Sequence, residues 1–401
     1  MTRRFPLVAL LVSLTAVGLV AQTTRPTDAA FAAFRDFYRD AVTRFGVAGS
    51  SVRIVHDGQV VFTDMVGSAN LEKRQPVDEE SAFHWASITK TFTGIAIVQL
   101  RDRGLVSLDD PILKYIPELA EVHNPFGPME AITLRHLLSH SAGFRSATWP
   151  WGGDQPWHPH EPTRWEQVRA MFPYTEILFP PGSKYSYSNP GLVFLGRVIE
   201  LVTGEDYETH VERNVLRPLG MSRAYFDKAP YYLLTHRAAS YWLRGGKLEP
   251  ARFDFDTGIT VSNGGLNAPL GDMVKYLRFL MGAPDDAALQ AQYDEVLPRA
   301  SLEEMWRPIV PLDAKDPAAG SMGLTWFLER HGGLDFIAHS GGQNAFISHV
   351  YVHLPSRTAY VVAFNTIGDP PVPGGPGDTR RLDAEIRDYL VGHVFAAYAG
   401  R

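Results

Sequence analysis

The sequence contains no cysteine in its 401 residues. This absence excludes disulfide bonds, thiolate zinc sites, iron–sulfur clusters and a cysteine nucleophile. Positive charge is also limited, because 38 basic residues face 44 acidic ones and the formal net charge is −6. Since no long run of Lys or Arg occurs, the composition argues against a nucleic-acid partner. The chain is long enough for two lobes or for one domain with a large insertion.

Several common catalytic motifs are missing as well. No serine lies in a Gly-x-Ser-x-Gly sequence, so the nucleophile elbow of α/β-hydrolases is absent. Neither a His-Glu-x-x-His zinc helix nor a Gly-x-x-x-x-Gly-Lys phosphate loop occurs. The sequence therefore points away from three large classes of enzyme.

The N-terminus has the pattern of a secretory signal peptide. Arg3 and Arg4 precede an apolar run over 7–20, which ends at the small residue Ala21. The run is too short for a membrane span of about 20 residues, and no second such run follows. We therefore predict that residues 1–21 are a signal peptide cleaved after Ala21, and that the protein is periplasmic or secreted, with no stable membrane span after cleavage. The alternative is an uncleaved N-terminal anchor.

Strand patterns lie near both ends of the remaining chain. The runs 52–55 and 60–66 flank Asp57-Gly58, a strong hairpin signal, and a second pair, 347–353 and 358–365, flanks Pro355-Ser356. Helical spacing of apolar residues predicts terminal helices over 28–45 and 378–398. Further helices are predicted over 88–103, 134–139, 192–203, 207–215 and 271–281.

This order of elements predicts an α+β fold. An antiparallel β-sheet is formed by both termini and flanked by helices, with a mainly helical lobe inserted at about 105–260.

The first candidate motif is Ser87-Ile88-Thr89-Lys90, at the start of a predicted helix. Three residues span nearly one helical turn, so the Ser87 hydroxyl and the Lys90 amine share a face. A serine becomes a nucleophile when a neighbour takes its proton, and a lysine shielded from water is able to do so. The alternative is a solvated helix face, but the apolar residues around this segment predict burial of Lys90.

The second motif is Tyr187-Ser188-Asn189, in a turn rich in Pro and Gly. We expect the pKa of a tyrosine beside Lys90 to be lowered, so that Tyr187 shuttles a proton, and Asn189 to hold a substrate carbonyl or Lys90. The alternative is a surface turn in which Asn189 caps the following helix.

The third motif is His339-Ser340-Gly341-Gly342. An extended segment with exposed N–H groups suits an oxyanion hole or a substrate cradle, and glycine permits close approach. The alternative is a glycine bend before a strand. For the similar sequence 140–143 we prefer a structural interpretation, a helix end that stops at Gly143.

An aromatic segment rich in Pro and Gly, Trp149–Trp157, lies between the first two motifs. It is typical either of a rim or lid over an apolar substrate group or of a self-packed surface loop. The adjacent His158 and His160 are too few to complete a metal site.

Together the three motifs resemble those of the serine β-lactamase and penicillin-binding-protein superfamily, which has Ser-x-x-Lys, Tyr-x-Asn and Lys/His-Thr/Ser-Gly in this order. The resemblance covers about residues 30–397. The tyrosine in the second motif favours the branch that contains class C β-lactamases, D-Ala-D-Ala carboxypeptidases, D-aminopeptidases and family VIII esterases.

The resemblance implies acyl transfer without a metal or cofactor, on a small-molecule ester, amide or peptide substrate. Ser87 is the implied nucleophile, and Lys90 and Tyr187 share the acid and base roles. The backbone N–H groups of Ser87 and Gly342 are the implied oxyanion hole. Asn189 and His339 are implied to orient Lys90, Tyr187 and the substrate.

His339 stands where most β-lactamases place a lysine, and a neutral histidine supplies no fixed charge for a substrate carboxylate. The sequence therefore favours an esterase or amidase over a β-lactamase. A D,D-peptidase or D-aminopeptidase that acts on cell-wall peptides is the main alternative. A non-catalytic binding protein of the same fold is a further one.

Overall fold

The computed structural model describes residues 28–144, 162–251, 257–368 and 373–400. The predicted signal peptide, the segment Trp149–Trp157 and His158 and His160 lie outside these residues. Within the described ranges, no helix combines the length and the apolar character needed to cross a membrane.

The described residues form twelve α-helices. They are α1 (Asp28–Arg44), α2 (Thr89–Asp102), α3 (Leu134–Leu138), α4 (Trp165–Arg169), α5 (Asn189–Thr203), α6 (Tyr207–Val211), α7 (Val261–Gly264), α8 (Leu270–Met281), α9 (Ala287–Val296), α10 (Arg299–Met305), α11 (Thr379–Leu390) and α12 (Ala396–Tyr398). Within the described residues, α2 to α6 follow one another without a strand between them. Short π-helical segments continue α6 over Glu212–Leu216 and α11 over Val391–Phe395.

Most of the strands are short, and the long ones lie near the two termini. They are β1 (Gly49–His56), β2 (Gln59–Asn70), β3 (Gln75–Pro76), β4 (Ala82–His84), β5 (Tyr225–Phe226), β6 (Tyr241–Arg244), β7 (Lys247–Pro250), β8 (Leu266–Pro269), β9 (Val310–Pro311), β10 (Ser321–Met322), β11 (Phe327–His331), β12 (Leu334–Gln343), β13 (Phe346–His353), β14 (Thr358–Phe364) and β15 (Thr366–Gly368).

A nine-stranded antiparallel sheet joins the two ends of the chain, in the order β3-β2-β1-β14-β13-β12-β11-β10-β9. The N-terminal β1 pairs with the C-terminal β14, with Val52 opposite Val362. Two three-stranded sheets, β15-β6-β7 and β4-β8-β5, stand beside it. The predicted α+β fold, with an antiparallel sheet built from both termini, is confirmed.

The large sheet separates two apolar cores. One core lies between one face of the sheet and the terminal helices α1 and α11, where Phe34, Tyr360 and Ile386 are buried. The other contains α2, which is buried from Thr89 to Leu100 on all sides. A helix without a solvent face belongs to a core, and this position places the start of α2 at the centre of the molecule.

The third motif is extended, as one of its two interpretations predicted, but the sequence pattern predicted no strand for this part of the sheet. Four strands, β9 to β12, lie where no strand was predicted, and His339–Gly342 belongs to β12. The interpretation of this motif as a glycine bend before a strand is wrong. Glycine and serine have low β-propensity, so the local sequence hides a strand that pairing with β13 imposes.

Candidate active site

Ser87 lies in a single 3₁₀ turn, Ala86–Ile88, that leads into α2. The turn is anchored from both sides, because the Trp85 indole N–H donates to Ala268 O at 2.9 Å and the Ser348 hydroxyl donates to Trp85 O at 3.0 Å. Ala86 has φ +47°, a left-handed conformation that is strained for a residue with a β-carbon. The chain therefore turns sharply to present Ser87, which is only partly buried.

Lys90 lies one helical turn after Ser87, as the spacing predicts. Its Nζ is 2.9 Å from Ser87 Oγ and donates to the backbone oxygen of Asn263 at 2.7 Å. The side chain is fully buried, and this burial holds the pKa of Lys90 well below its ordinary value. A neutral amine in this position uses one N–H for Asn263 O and keeps its lone pair for the Ser87 proton.

Tyr187 from the second motif lies beside Lys90, whose Nζ is 4.9 Å from the ring centroid. The nearby Ser87 hydroxyl lowers the pKa of Tyr187, yet burial dominates and raises this pKa above its ordinary value. Our expectation of a lowered pKa is wrong. A charged lysine would stabilise the phenolate, but the buried Lys90 amine has itself lost the tendency to carry a charge.

Asn189 is the first residue of α5, and the helix is capped by Ser188, whose hydroxyl accepts from Gly191 N at 3.2 Å. The interpretation of Asn189 as the cap is therefore wrong. Asn189 Oδ1 is buried and has no hydrogen-bond partner among the described residues. Lys90 is instead hydrogen-bonded to the backbone oxygen of Asn263. The sequence did not predict this contact, because any residue type has a backbone oxygen.

The third motif runs past the turn that holds Ser87. In β12, Gly341 is opposite Ser348 and Gly342 is opposite Ile347. A β-carbon on Gly341 would lie 2.2 Å from Trp85 O, so only glycine lets the strand come this close. Ser340 and Gly342 are exposed at the strand edge. The structure thus brings the third motif against the turn that carries the first.

His339 is buried beside the same group of side chains. Its Nδ1–H donates to Ser340 O at 2.7 Å, and its Nε2 has no partner in the part of the chain that the structure describes. Burial, followed by the nearby Lys90, lowers the pKa of His339 to about 3. His339 is therefore neutral near pH 7.

The sequence 140–143, for which we preferred a structural interpretation, also reaches the site. Helix α3 ends at Leu138, and Gly143 takes φ +91° five residues later, where the chain packs against Ile177. Between them the His140 ring stacks on Tyr187, with ring centroids 4.4 Å apart. The helix end is present, but the histidine is part of the surroundings of Tyr187.

A polar chain supports the far end of β12. His84 Nδ1 is 3.1 Å from Asn267 Oδ1, and its Nε2 is 3.3 Å from the Gln343 carboxamide. Burial lowers the pKa of His84 to about 4, so the ring is neutral near pH 7. The neutral ring links strands β4, β8 and β12 behind the candidate site.

Comparisons with known proteins identify the family of the chain. A sequence profile of the family described as Beta-lactamase matches residues 34–385. Beta-lactamase-like protein 2 from Dictyostelium discoideum is 29% identical over 284 residues, which cover 69% of this chain and 48% of that protein. The chain thus spans about half the length of this curated relative.

Solved structures share the fold over most of the chain. The octameric penicillin-binding protein homologue from Pyrococcus abyssi has a TM-score of 0.72 and 26% identity, covering 92% of this chain and 79% of that one. A D-stereospecific amidohydrolase from Streptomyces sp. has a TM-score of 0.67 and 24% identity, covering 88% and 97%. Since the family profile extends over most of the sequence and all three motifs meet in one place, the chain belongs to the Beta-lactamase family, within the serine β-lactamase and penicillin-binding-protein superfamily.

Proposed function

We propose that this protein is a serine hydrolase that cleaves an ester or amide through an acyl-enzyme on Ser87. The observation that carries the proposal is the fully buried Lys90 amine, 2.9 Å from Ser87 Oγ. Lys90 takes part in no ion pair within the described ranges, and burial is the cause of its lowered pKa. Burial of an unpaired lysine destabilises a protein, and a base that must be neutral at pH 7 accounts for it.

In the acylation step, Lys90 Nζ accepts the Ser87 hydroxyl proton while Ser87 Oγ bonds to the substrate carbonyl carbon. The π electrons of that carbonyl move to its oxygen. The N–H groups of Ser87 and Gly342 are the proposed donors to this oxyanion, and one such donor contributes about 2.7–4 kcal/mol to transition-state stabilisation.

Collapse of the tetrahedral intermediate breaks the bond to the leaving oxygen or nitrogen, which requires a proton. Tyr187 is suited to donate it, because its raised pKa keeps the phenol protonated and its hydroxyl contacts Ser87. The proton held by Lys90 then restores the phenol. Water attacks the acyl-enzyme with the same groups acting in reverse, and the net reaction consumes one water per bond cleaved.

The absence of a positive charge in the third motif bears on which substrates the protein can bind. With the pKa of His339 at about 3, the ring supplies no cation for a substrate carboxylate. We therefore propose that uncharged esters and amides are better substrates than β-lactams or peptides that end in a free carboxylate near the cleaved bond.

The test is labelling with a fluorophosphonate followed by peptide mass spectrometry, together with hydrolysis of p-nitrophenyl acetate and butyrate. We expect one adduct on Ser87 and loss of both adduct and turnover in Ser87→Ala. Ser183→Ala is the matched control, because Ser183 is an exposed serine in the loop that leads to Tyr187. Turnover retained by Ser87→Ala would remove the proposed nucleophile. Nitrocefin and D-Ala-D-Ala peptides assayed in parallel test the substrate class.

We also propose that the protein is exported and that residues 1–21 are removed. The N-terminal peptide of the protein recovered from the periplasm or medium is expected to begin after Ala21. An intact N-terminus on the exported protein would contradict cleavage.

A further inference from the structure

His140 is buried next to the proposed catalytic groups without belonging to any of the three motifs. Only 1% of the residue is exposed. A proton on Lys90 or on His339 would lower the pKa of its ring, so His140 lies in the same electrostatic environment as the reacting groups. The proposed mechanism assigns it no step, and its environment calls for a separate explanation.

His140 contacts Tyr187 and both of its neighbours in the chain, and its ring also meets Tyr185 edge-on, with centroids 6.2 Å apart. The rings of His140 and Tyr187 stack with centroids 4.4 Å apart and planes 29° apart. Nδ1 of His140 accepts from Ser188 N at 3.1 Å, and the backbone oxygen of His140 accepts from Ser186 N at 2.8 Å. One residue therefore holds the tyrosine ring from its face and fixes the backbone on both sides of it.

The imidazole is also held in one protonation state. Because Nδ1 accepts a hydrogen bond, the ring proton is on Nε2. Burial holds the pKa of His140 well below its ordinary value, and a proton taken up by Lys90 lowers that pKa further. The His140 ring stacked on Tyr187 thus stays neutral over the pH range in which Lys90 and Tyr187 exchange protons.

The backbone at His140 gives independent evidence of constraint. Its φ is +52°, in the left-handed region that side chains with a β-carbon rarely adopt. Such a conformation costs about 1–3 kcal/mol and persists where the surroundings over-determine it. Here the surroundings are the two hydrogen bonds to the loop of Tyr187 and the ring stack.

We propose that His140 is a positioning residue that fixes the ring plane of Tyr187 and thereby places the phenol hydroxyl for proton transfer at Ser87. This inference rests on the proposed function. A displacement of about 1 Å in a reacting group costs on the order of 100-fold in rate. Loss of the His140 support is therefore expected to lower kcat and to leave KM nearly unchanged.

The test is a double-mutant cycle of His140→Asn with Tyr187→Phe, with kcat per active site counted by fluorophosphonate titration. Asparagine tolerates the left-handed backbone and retains an acceptor for Ser188 N, so this variant removes mainly the ring. We expect kcat to fall about 10- to 100-fold in His140→Asn and KM to change less than about twofold. In the Tyr187→Phe background the same substitution should have almost no effect, since the hydroxyl that it positions is gone.

Equal losses in both backgrounds, or no loss in either, would overturn the inference. His210→Asn is the matched control, because His210 is also buried but lies on α6 and contacts Glu205. If His140→Asn does not fold, His140→Phe keeps a ring against Tyr187 and removes only the Nδ1 acceptor, so the loss of kcat is expected to be smaller but still absent in the Tyr187→Phe background. Failure of the wild-type protein to form an adduct on Ser87 would refute the proposed function, whereas an adduct with an additive cycle would refute only the role of His140.

Discussion

The contact between the strand of the third motif and the turn of the first gives a sharp prediction for Gly341→Ala. A methyl group at this position would lie 2.2 Å from Trp85 O and 2.4 Å from Ser348 Oγ, whereas ordinary contacts are 3.4–4 Å. Trp85 O is backbone and is fixed by the Ser348 hydroxyl, so no flexible side chain is available to absorb the overlap. Strand β12 must move away from the turn that carries Ser87.

The required movement is roughly 1 Å, which for a reacting group costs on the order of 100-fold in rate. We therefore expect Gly341→Ala to lower kcat/KM for p-nitrophenyl acetate about 100-fold, because the N–H of Gly342 leaves the oxyanion. Overpacking of this kind also lowers the free energy of unfolding by about 1–3 kcal/mol. The protein should remain folded at assay temperature.

Two further variants distinguish the displacement of strand β12 from the effect of simply adding a methyl group. On Gly342 a β-carbon meets only Ile347 Cδ1, at 3.4 Å, so Gly342→Ala adds a methyl group without moving the strand and should lose less than about tenfold. Gly392→Ala, in open space near the C-terminus, should match the wild type. Initial rates and thermal unfolding would be measured on all three. A Gly341→Ala enzyme within threefold of wild type, or equal losses at Gly341 and Gly342, would refute the reasoning.

Three further predictions follow from burial. Because burial lowers the pKa of Lys90, kcat/KM should increase with pH and reach its plateau well below pH 10.5. The raised pKa of Tyr187 should prevent a decline of kcat/KM below pH 10. A decline in that range would contradict the assignment of Tyr187 as the proton donor. The unfolded chain binds a proton at His84 near pH 6.5 and the folded chain only near pH 4, so stability falls as pH decreases through this window. Denaturant unfolding at pH 7.5 and pH 5 should show a loss of about 2 kcal/mol from this group, absent in His84→Gln. Gly196→Ala should destabilise the protein by about 1–3 kcal/mol, because the new β-carbon lies 2.3 Å from Ser262 Oγ, whereas Gly392→Ala should be neutral or slightly stabilising in the same thermal scan.

The parts of the fold that the sequence predicts are those with local signals. Asp57-Gly58 specifies the β1–β2 hairpin, and both residues take positive φ in the structure. The helix predicted over 192–203 ends where expected, because Gly204 follows α5 in the left-handed conformation. Strand β12 gave no such signal, because its extended form comes from pairing with β13, and pairing between distant segments depends on the whole chain.

The candidate site shows the same division. The spacing of Ser87 and Lys90 on one turn predicts their contact, since a helix places residues three apart on one face. The contacts of Lys90 with Asn263 O and of His140 with Tyr187 join segments more than 40 residues apart. Sequence spacing carries no information about such contacts, and His140 was therefore interpreted as part of a helix end.

The pKa of Tyr187 shows why residue types alone do not determine the direction of proton transfer. Next to a lysine, the phenol was expected to become more acidic, which would make Tyr187 the base. Burial acts on both groups in opposite directions, because the charged form is an ammonium for Lys90 and a phenolate for Tyr187. The same loss of solvent therefore makes the lysine the proton acceptor and the tyrosine the proton donor. The assignment of roles depends on the exclusion of water, to which the buried His140 and His339 rings contribute.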